Sequence, residues 1–156
     1  MRAALLLLLA LPLPALAQPQ TLGAWGGWAA FRDGGRCYAI TQPFQAPGGR
    51  DAQAFASVGA WPGRGAQLHI RLSRAQRAGS AVLLRVDGRL FQLTGGGRDA
   101  WAPDGRADAD IQAAMRTGID LIVETRATDG LLVRDQYRLR GAATAMDAAA
   151  IACARR

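Results

Sequence analysis

The chain is expected to be mostly β, an antiparallel β-sandwich of immunoglobulin-like size with two short helices. Three observations predict it. Apolar and polar residues alternate over short runs, best at 66–73, where Ala66, Leu68, Ile70 and Leu72 interleave with Gln67, His69, Arg71 and Ser73. Turn pairs Asp33-Gly34, Asp87-Gly88 and Asp129-Gly130 separate strand-like runs. Only two stretches, 108–117 and 142–154, carry helical signals. An α+β sheet with both helices on one face is the alternative.

Residues 1–17 read as a cleavable secretory signal. Met1-Arg2 precedes an apolar run over 3–11, and Ala15-Leu16-Ala17 supplies small residues for cleavage before Gln18. The run is too short for a transmembrane helix, which needs roughly 20 apolar residues. No later segment is apolar enough to span a membrane, so the mature protein is expected to be soluble. It is expected to fill residues 18–156 as a single domain.

Residues 22–28 are rich in Gly and Trp and show no clear period. Residues 28–32 and 36–41 flank Asp33-Gly34-Gly35 as a hairpin. Residues 43–51, with Pro47-Gly48-Gly49, read as a loop. Strands are expected at 54–61, 66–73 and 81–86. In the last of these, Val82, Leu84 and Val86 point inward and Leu83 and Arg85 outward. Asp87-Gly88 supplies a positive-φ pair before a return strand at 90–93, and Gly95-Gly96-Gly97 breaks the pattern. The helix at 108–117 takes Asp108 as N-cap and Gly118 as its C-terminal stop. Strands at 119–125 and 131–139 flank Thr128-Asp129-Gly130. In the alanine-rich helix 142–154, Met146, Ala149, Ala150 and Cys153 share one side, with Thr144 and Asp147 facing away.

Four Trp, four Phe and two Tyr are all the large rings available, so the core is expected to be modest. All 19 basic residues are arginine, and the net charge is +7, or +6 once Arg2 leaves with the leader. A positive field favours encounter with anionic partners. The two cysteines, Cys37 and Cys153, form an even pair in an exported chain and are expected to make a structural disulfide. They lack the Cys-x-x-Cys spacing of redox sites.

No catalytic constellation emerges. None of the serines Ser57, Ser73 and Ser80 sits in a Gly-x-Ser-x-Gly elbow. His69 is the sole imidazole, so a small hydrolase using His69 with a nearby Ser or Asp is the weaker alternative. Asp104, Asp108 and Asp110 lack calcium-loop spacing. Gly95-Gly96-Gly97-Arg98 lacks the Lys-Ser/Thr ending of a phosphate loop. No metal, cofactor or nucleic-acid site is expected. Arg71, Arg85, Arg134, Arg138 and Arg140 fall on the wet side of their strands. If those strands share a sheet, they form a basic face near His69 for an anionic envelope component.

These elements, in order, resemble a known family. Arg36-Cys37-Tyr38-Ala39-Ile40, Asp87-Gly88-Arg89 before a strand, and Met115-Arg116-Thr117-Gly118 ending a helix come first. Tyr137-Arg138-Leu139-Arg140-Gly141, then Ala142-Ala143-Thr144-Ala145-Met146-Asp147 and a late Cys153, complete the pattern. It resembles the invasion-associated locus B family of exported Gram-negative proteins over most of residues 25–154. The resemblance implies a periplasmic or envelope β-sandwich without enzyme activity or cofactor. Its partner would be an anionic envelope component or another envelope protein. A secreted host-interaction factor is the alternative. The stretch 93–101 lacks the mid-domain cysteine pair common in the family, which marks a divergent branch with Cys37–Cys153 as the substitute staple.

Overall fold

A computed structural model describes residues 18–47 and 53–154; the expected leader, residues 1–17, lies outside the described residues. The elements are β1 (Gln20–Trp25), β2 (Trp28–Asp33), β3 (Arg36–Thr41), β4 (Phe55–Ala60), β5 (Gln67–Arg71), β6 (Val82–Val86), β7 (Arg89–Gly96), β8 (Asp99–Trp101), α1 (Gly105–Thr117), β9 (Asp120–Arg126), β10 (Leu132–Arg138) and α2 (Ala142–Ala154). The chain is mostly β, as expected. All ten strands join one antiparallel sheet in the order β1-β2-β3-β4-β5-β8-β7-β6-β9-β10.

The sheet curls so that its halves share a core. Inward residues of β2–β5, among them Ala30, Ala39, Val58, Leu68 and Ile70, join those of β6, β9 and β10, including Leu84, Val123 and Tyr137, in one cluster. Polar links close the curl. Phe44 N–H donates to Gln136 O at 2.9 Å, and Gln136 N–H donates to Gln45 O at 2.8 Å. The indole of buried Trp28 donates to Arg138 O at 2.9 Å. Where the β1–β2 turn meets the β10–α2 junction, only glycine fits. A Cβ on Gly26 would fall 2.2 Å from Arg140 O, and one on Gly141 would fall 1.9 Å from Trp25 O. Both residues also take a positive φ, 59° and 91°, that L side chains disfavour.

Helix α2 packs on β1–β4 through Ala142, Ala145, Met146, Ala149 and Cys153, facing small residues such as Ala30, Cys37 and Ala39. Alanine on both sides lets helix and sheet approach closely, so a core poor in large rings still fills. The disulfide Cys37–Cys153 fastens this contact and closes a sequence separation of 116. Arg32 donates to Ala152 O in the last helical turn, where a cation offsets the helix dipole. Helix α1 packs against β5, β6, β7 and α2 through Ile111, Ala114 and Met115.

Several local expectations change. The stretch without a period is β1, and its register with β2 shifts between Thr21 and Gly23, a bulge that breaks strict alternation. Gly95 and Gly96 are the last two residues of β7 rather than a break before it closes. Gly95 has no room for a side chain, because a Cβ would lie 2.8 Å from Val82 Cγ2. The reversal falls at Gly97, and short β8 follows. In the Asp87-Gly88 turn, Asp87 alone takes a left-handed φ, 50°. Helix α1 begins earlier than expected: Asp104 is the N-cap and accepts from Ala107 N–H at 2.8 Å. Asp108 is instead a buried residue of the first turn, accepting from Leu68 N–H at 2.9 Å and from Gln112 at 3.0 Å. On α2 Ala150 is exposed, and Ala145 holds the buried position instead.

Candidate functional site

The outer face of β2, β3, β4, β5 and β8 carries the least ordinary surface of the molecule. Solvated sheet faces usually present polar side chains. Here the pairing register builds an aromatic lattice. One cross-strand row runs Ala29, Ile40, Ser57, His69, Trp101, and a parallel row runs Phe31, Tyr38, Gly59, Gln67. A third pairs Phe55 with Arg71 and Arg71 with Asp99.

The rings touch. His69 stacks on Trp101 with centroids 5.3 Å apart and planes 6° off parallel, while Phe55 meets His69 edge-on at 5.0 Å. Phe31 and Tyr38 lie 5.6 Å apart, and the Arg36 guanidinium sits 5.2 Å above the Tyr38 ring. Trp61, just past β4, lies over Gly59, where a Cβ would fall 2.6 Å from its Cη2 atom. Small floor residues Ser57 and Gly59 between these walls leave an open groove of about 420 Å³. Arg36, Tyr38, Ile40, Phe55, Trp61, Gln67, His69 and Trp101 complete its lining. That volume lies within the range of small-ligand sites, about 300–1,000 Å³.

Charge within the groove is balanced locally. Asp99 lies 2.8 Å from His69 Nε2 and accepts from Arg71 at 3.1 and 3.2 Å. An ionised carboxylate only accepts, so it fixes the ring proton on Nε2 and holds the imidazole flat beside Trp101. Arg36 pairs with Asp33 at 3.0 Å. A nucleophile needs a base directed at it. Ser57, the cross-strand neighbour of His69, instead points its hydroxyl at the His69 backbone carbonyl, 3.4 Å away. His69 and Ser57 are therefore not arranged as a base–nucleophile pair.

The structure divides the five arginines read from the sequence. Arg85, Arg134 and Arg138 share the outer face of β6, β9 and β10. Arg134 pairs with Glu124 at 3.2 Å and Arg138 with Asp120 at 2.7 Å. Arg138 also lies 4.2 Å over the Phe44 ring. Arg71 lies beside the aromatic groove, opposite Phe55 and paired with Asp99, and β8 and β7 separate its strand from β6. Arg140 is exposed beyond the end of β10. Arg85 and Arg140 have no acid partner among the described residues. Cys37 and Cys153 are joined, as expected.

A second polar cluster is internal. Burial pushes the Asp135 carboxyl above its ordinary value, opposed by hydrogen bonds from Ser73 and by the charge of Arg98. Tyr137, on the same inward row, is raised well above the ordinary phenol by burial and by Asp135. Asp135 Oδ2 accepts Ser73 N–H at 2.8 Å. Burial likewise raises Asp108, against the hydrogen bonds from Leu68 and Gln112.

Reading the strands one at a time placed His69 on a wet face but left Tyr38, Phe55, Trp61 and Trp101 unconnected. The missing information was the strand order. β8 is three residues long, yet it brings Trp101 beside His69 from 32 positions away.

No protein-family profile and no curated protein matches the chain. Among solved structures the fold is similar to the crystal structure of invasion associated protein B from Bartonella henselae. The TM-score is 0.63, with 17% sequence identity over 87% of this chain and 99% of that one. At that identity the likeness is one of fold, a distant structural relationship.

Proposed function

We propose that this is an exported, non-enzymatic envelope protein of a Gram-negative cell that binds an envelope component in the aromatic groove. The groove carries the reading: rings on the solvent face of a sheet cost solvation unless something covers them. Three further features support it. The first 17 residues read as an export signal, the disulfide suits an oxidising compartment, and the fold is shared with invasion associated protein B. Among the described residues no helix is long and apolar enough to cross a membrane. Net positive charge, with Arg85 and Arg140 lacking acid partners among the described residues, favours encounter with an anionic envelope surface.

The test is fractionation followed by sedimentation with purified cell envelopes. The protein is expected in the periplasmic fraction with its mass starting at Gln18, and it should co-sediment with envelopes. Trp101→Ala should lower that retention while leaving the circular dichroism spectrum unchanged. Cytoplasmic protein that keeps residues 1–17, or retention indifferent to Trp101→Ala, would overturn the reading.

A further inference from the structure

We infer that the groove takes a neutral hexopyranose chain, an assignment that rests on the envelope-binding reading and names its ligand class. Trp61, Trp101 and Tyr38 stand around a floor kept low by Ser57 and Gly59, so their rings are available to a ligand lying along the sheet. An aromatic face is the negative pole of a quadrupole and attracts slightly positive C–H groups. A pyranose ring presents a layer of such C–H groups on its faces and hydroxyls around its edge.

The polar groups sit where those hydroxyls would fall. Gln67 lines the groove and is exposed, the Ser57 hydroxyl lies in its floor, and His69 is half-buried with its Nε2 proton committed to Asp99. The other ring nitrogen, Nδ1, is left for a second hydrogen bond. A purely apolar ligand would leave the Gln67 amide and His69 Nδ1 without partners on desolvation.

Charge separates this ligand from an anionic one. Arg36, which lines the groove, and Arg71, beside it on β5, each have an acid partner, Asp33 and Asp99. Capturing a phosphate or carboxylate would require breaking those pairs. Nucleic acid in particular needs unpaired cations interleaved with its stacking rings. The uncompensated positive charge lies elsewhere on the surface, so the groove itself selects by stacking and hydrogen bonding.

The experiment titrates the purified protein with soluble tetramers of N-acetylglucosamine and of glucose. Binding is followed by tryptophan fluorescence and by calorimetry. At least one sugar should give saturable binding. Trp61→Ala and Trp101→Ala should each weaken it roughly tenfold, and Trp101→Phe should restore most of the loss. Raising salt from about 0.1 M to about 1 M should change the Kd less than about twofold. Trp61 lies outside the strands, so its truncation can be read without loss of fold. Wild-type protein that binds neither tetramer, binding indifferent to both tryptophans, or binding that collapses with salt overturns the sugar assignment. If envelopes are still retained through Trp101 while both sugars fail, only the ligand class is wrong. If envelope retention fails as well, the proposed function falls with it.

Discussion

Removing the disulfide should cost this protein more than any single core truncation. Cys37 is fully buried on β3 and Cys153 nearly so on α2, within an interface made largely of alanine. The perturbation is the double variant Cys37→Ala/Cys153→Ala, which leaves no lone thiol and removes little volume. Closing a 116-residue separation restricts the unfolded chain by about 4–5 kcal/mol in the loop-entropy treatment. A domain of this kind has a total stability of about 5–15 kcal/mol, so the staple is roughly a quarter of it or more. At about 3–5 °C per kcal/mol for this size, the melting temperature should fall by roughly 12–25 °C. The assay is paired thermal and urea unfolding of both proteins. Because the uncrosslinked chain expands further when unfolded, the urea m-value should rise as the midpoint falls. A loss under about 1 kcal/mol with an unchanged m-value would rule out this role for the disulfide. It would mean that packing of α2 on the sheet, without the covalent link, already sets the stability.

Other perturbations have equally definite outcomes. Asp108→Ala strips the partner from the buried Leu68 N–H and should cost about 1–3 kcal/mol in urea unfolding, with Asp108→Asn costing much less. Asp135 has a folded pKa raised above its unfolded value, so the folded state binds the extra proton. Its contribution is therefore neutral below about pH 4 and becomes an increasing penalty as pH rises through the folded pKa. Asp135→Asn should flatten that part of the stability–pH curve, measured by melting temperature from about pH 4 to neutrality. An unchanged curve would show that the carboxyl is not protonated on folding. Gly59→Ala should displace Trp61, shifting tryptophan emission and weakening groove binding with little change in melting temperature.

Much of the architecture was legible because local signals suffice for it. The alternation at 66–73 and the turns at Asp33-Gly34, Asp87-Gly88 and Asp129-Gly130 mark strands and reversals without knowledge of partners. The cysteine pair was readable from count and compartment alone. What failed depended on contacts distant in sequence. Asp108 has the composition of an N-cap, but its carboxylate is recruited by Leu68, forty positions away. β1 hides its period behind a bulge that matters only once β2 lies beside it. Ala150 and Ala145 cannot be ranked by hydrophobicity in a helix that is almost all alanine, so the buried side is set by the sheet. The basic face failed as a unit for a related reason. Outward direction was right for each strand, but the order β5-β8-β7-β6 separates Arg71 from Arg85, and acids opposite Arg134 and Arg138 are visible only in the register.

The same register makes the two outer surfaces chemically different. On β6, β9 and β10, Arg134 stands opposite Glu124 and Arg138 opposite Asp120, half-exposed pairs that contribute little to stability and keep the surface wet. On β3, β4, β5 and β8 the outward positions go to half-buried Tyr38, Phe55 and His69 and exposed Trp101, while Ser57 and Gly59 stay small between them. Folding alone does not require this arrangement. The core is closed from the other side of the same strands by Ala39, Val58, Leu68, Ile70 and Ala100, all buried without help from the outer rings. Larger polar residues at 57 and 59 would suit a solvated sheet better and would fill the groove. Keeping those positions small beneath a ring of aromatics retains a concave surface that the core has no use for, and a bound ligand is what gives that surface a use.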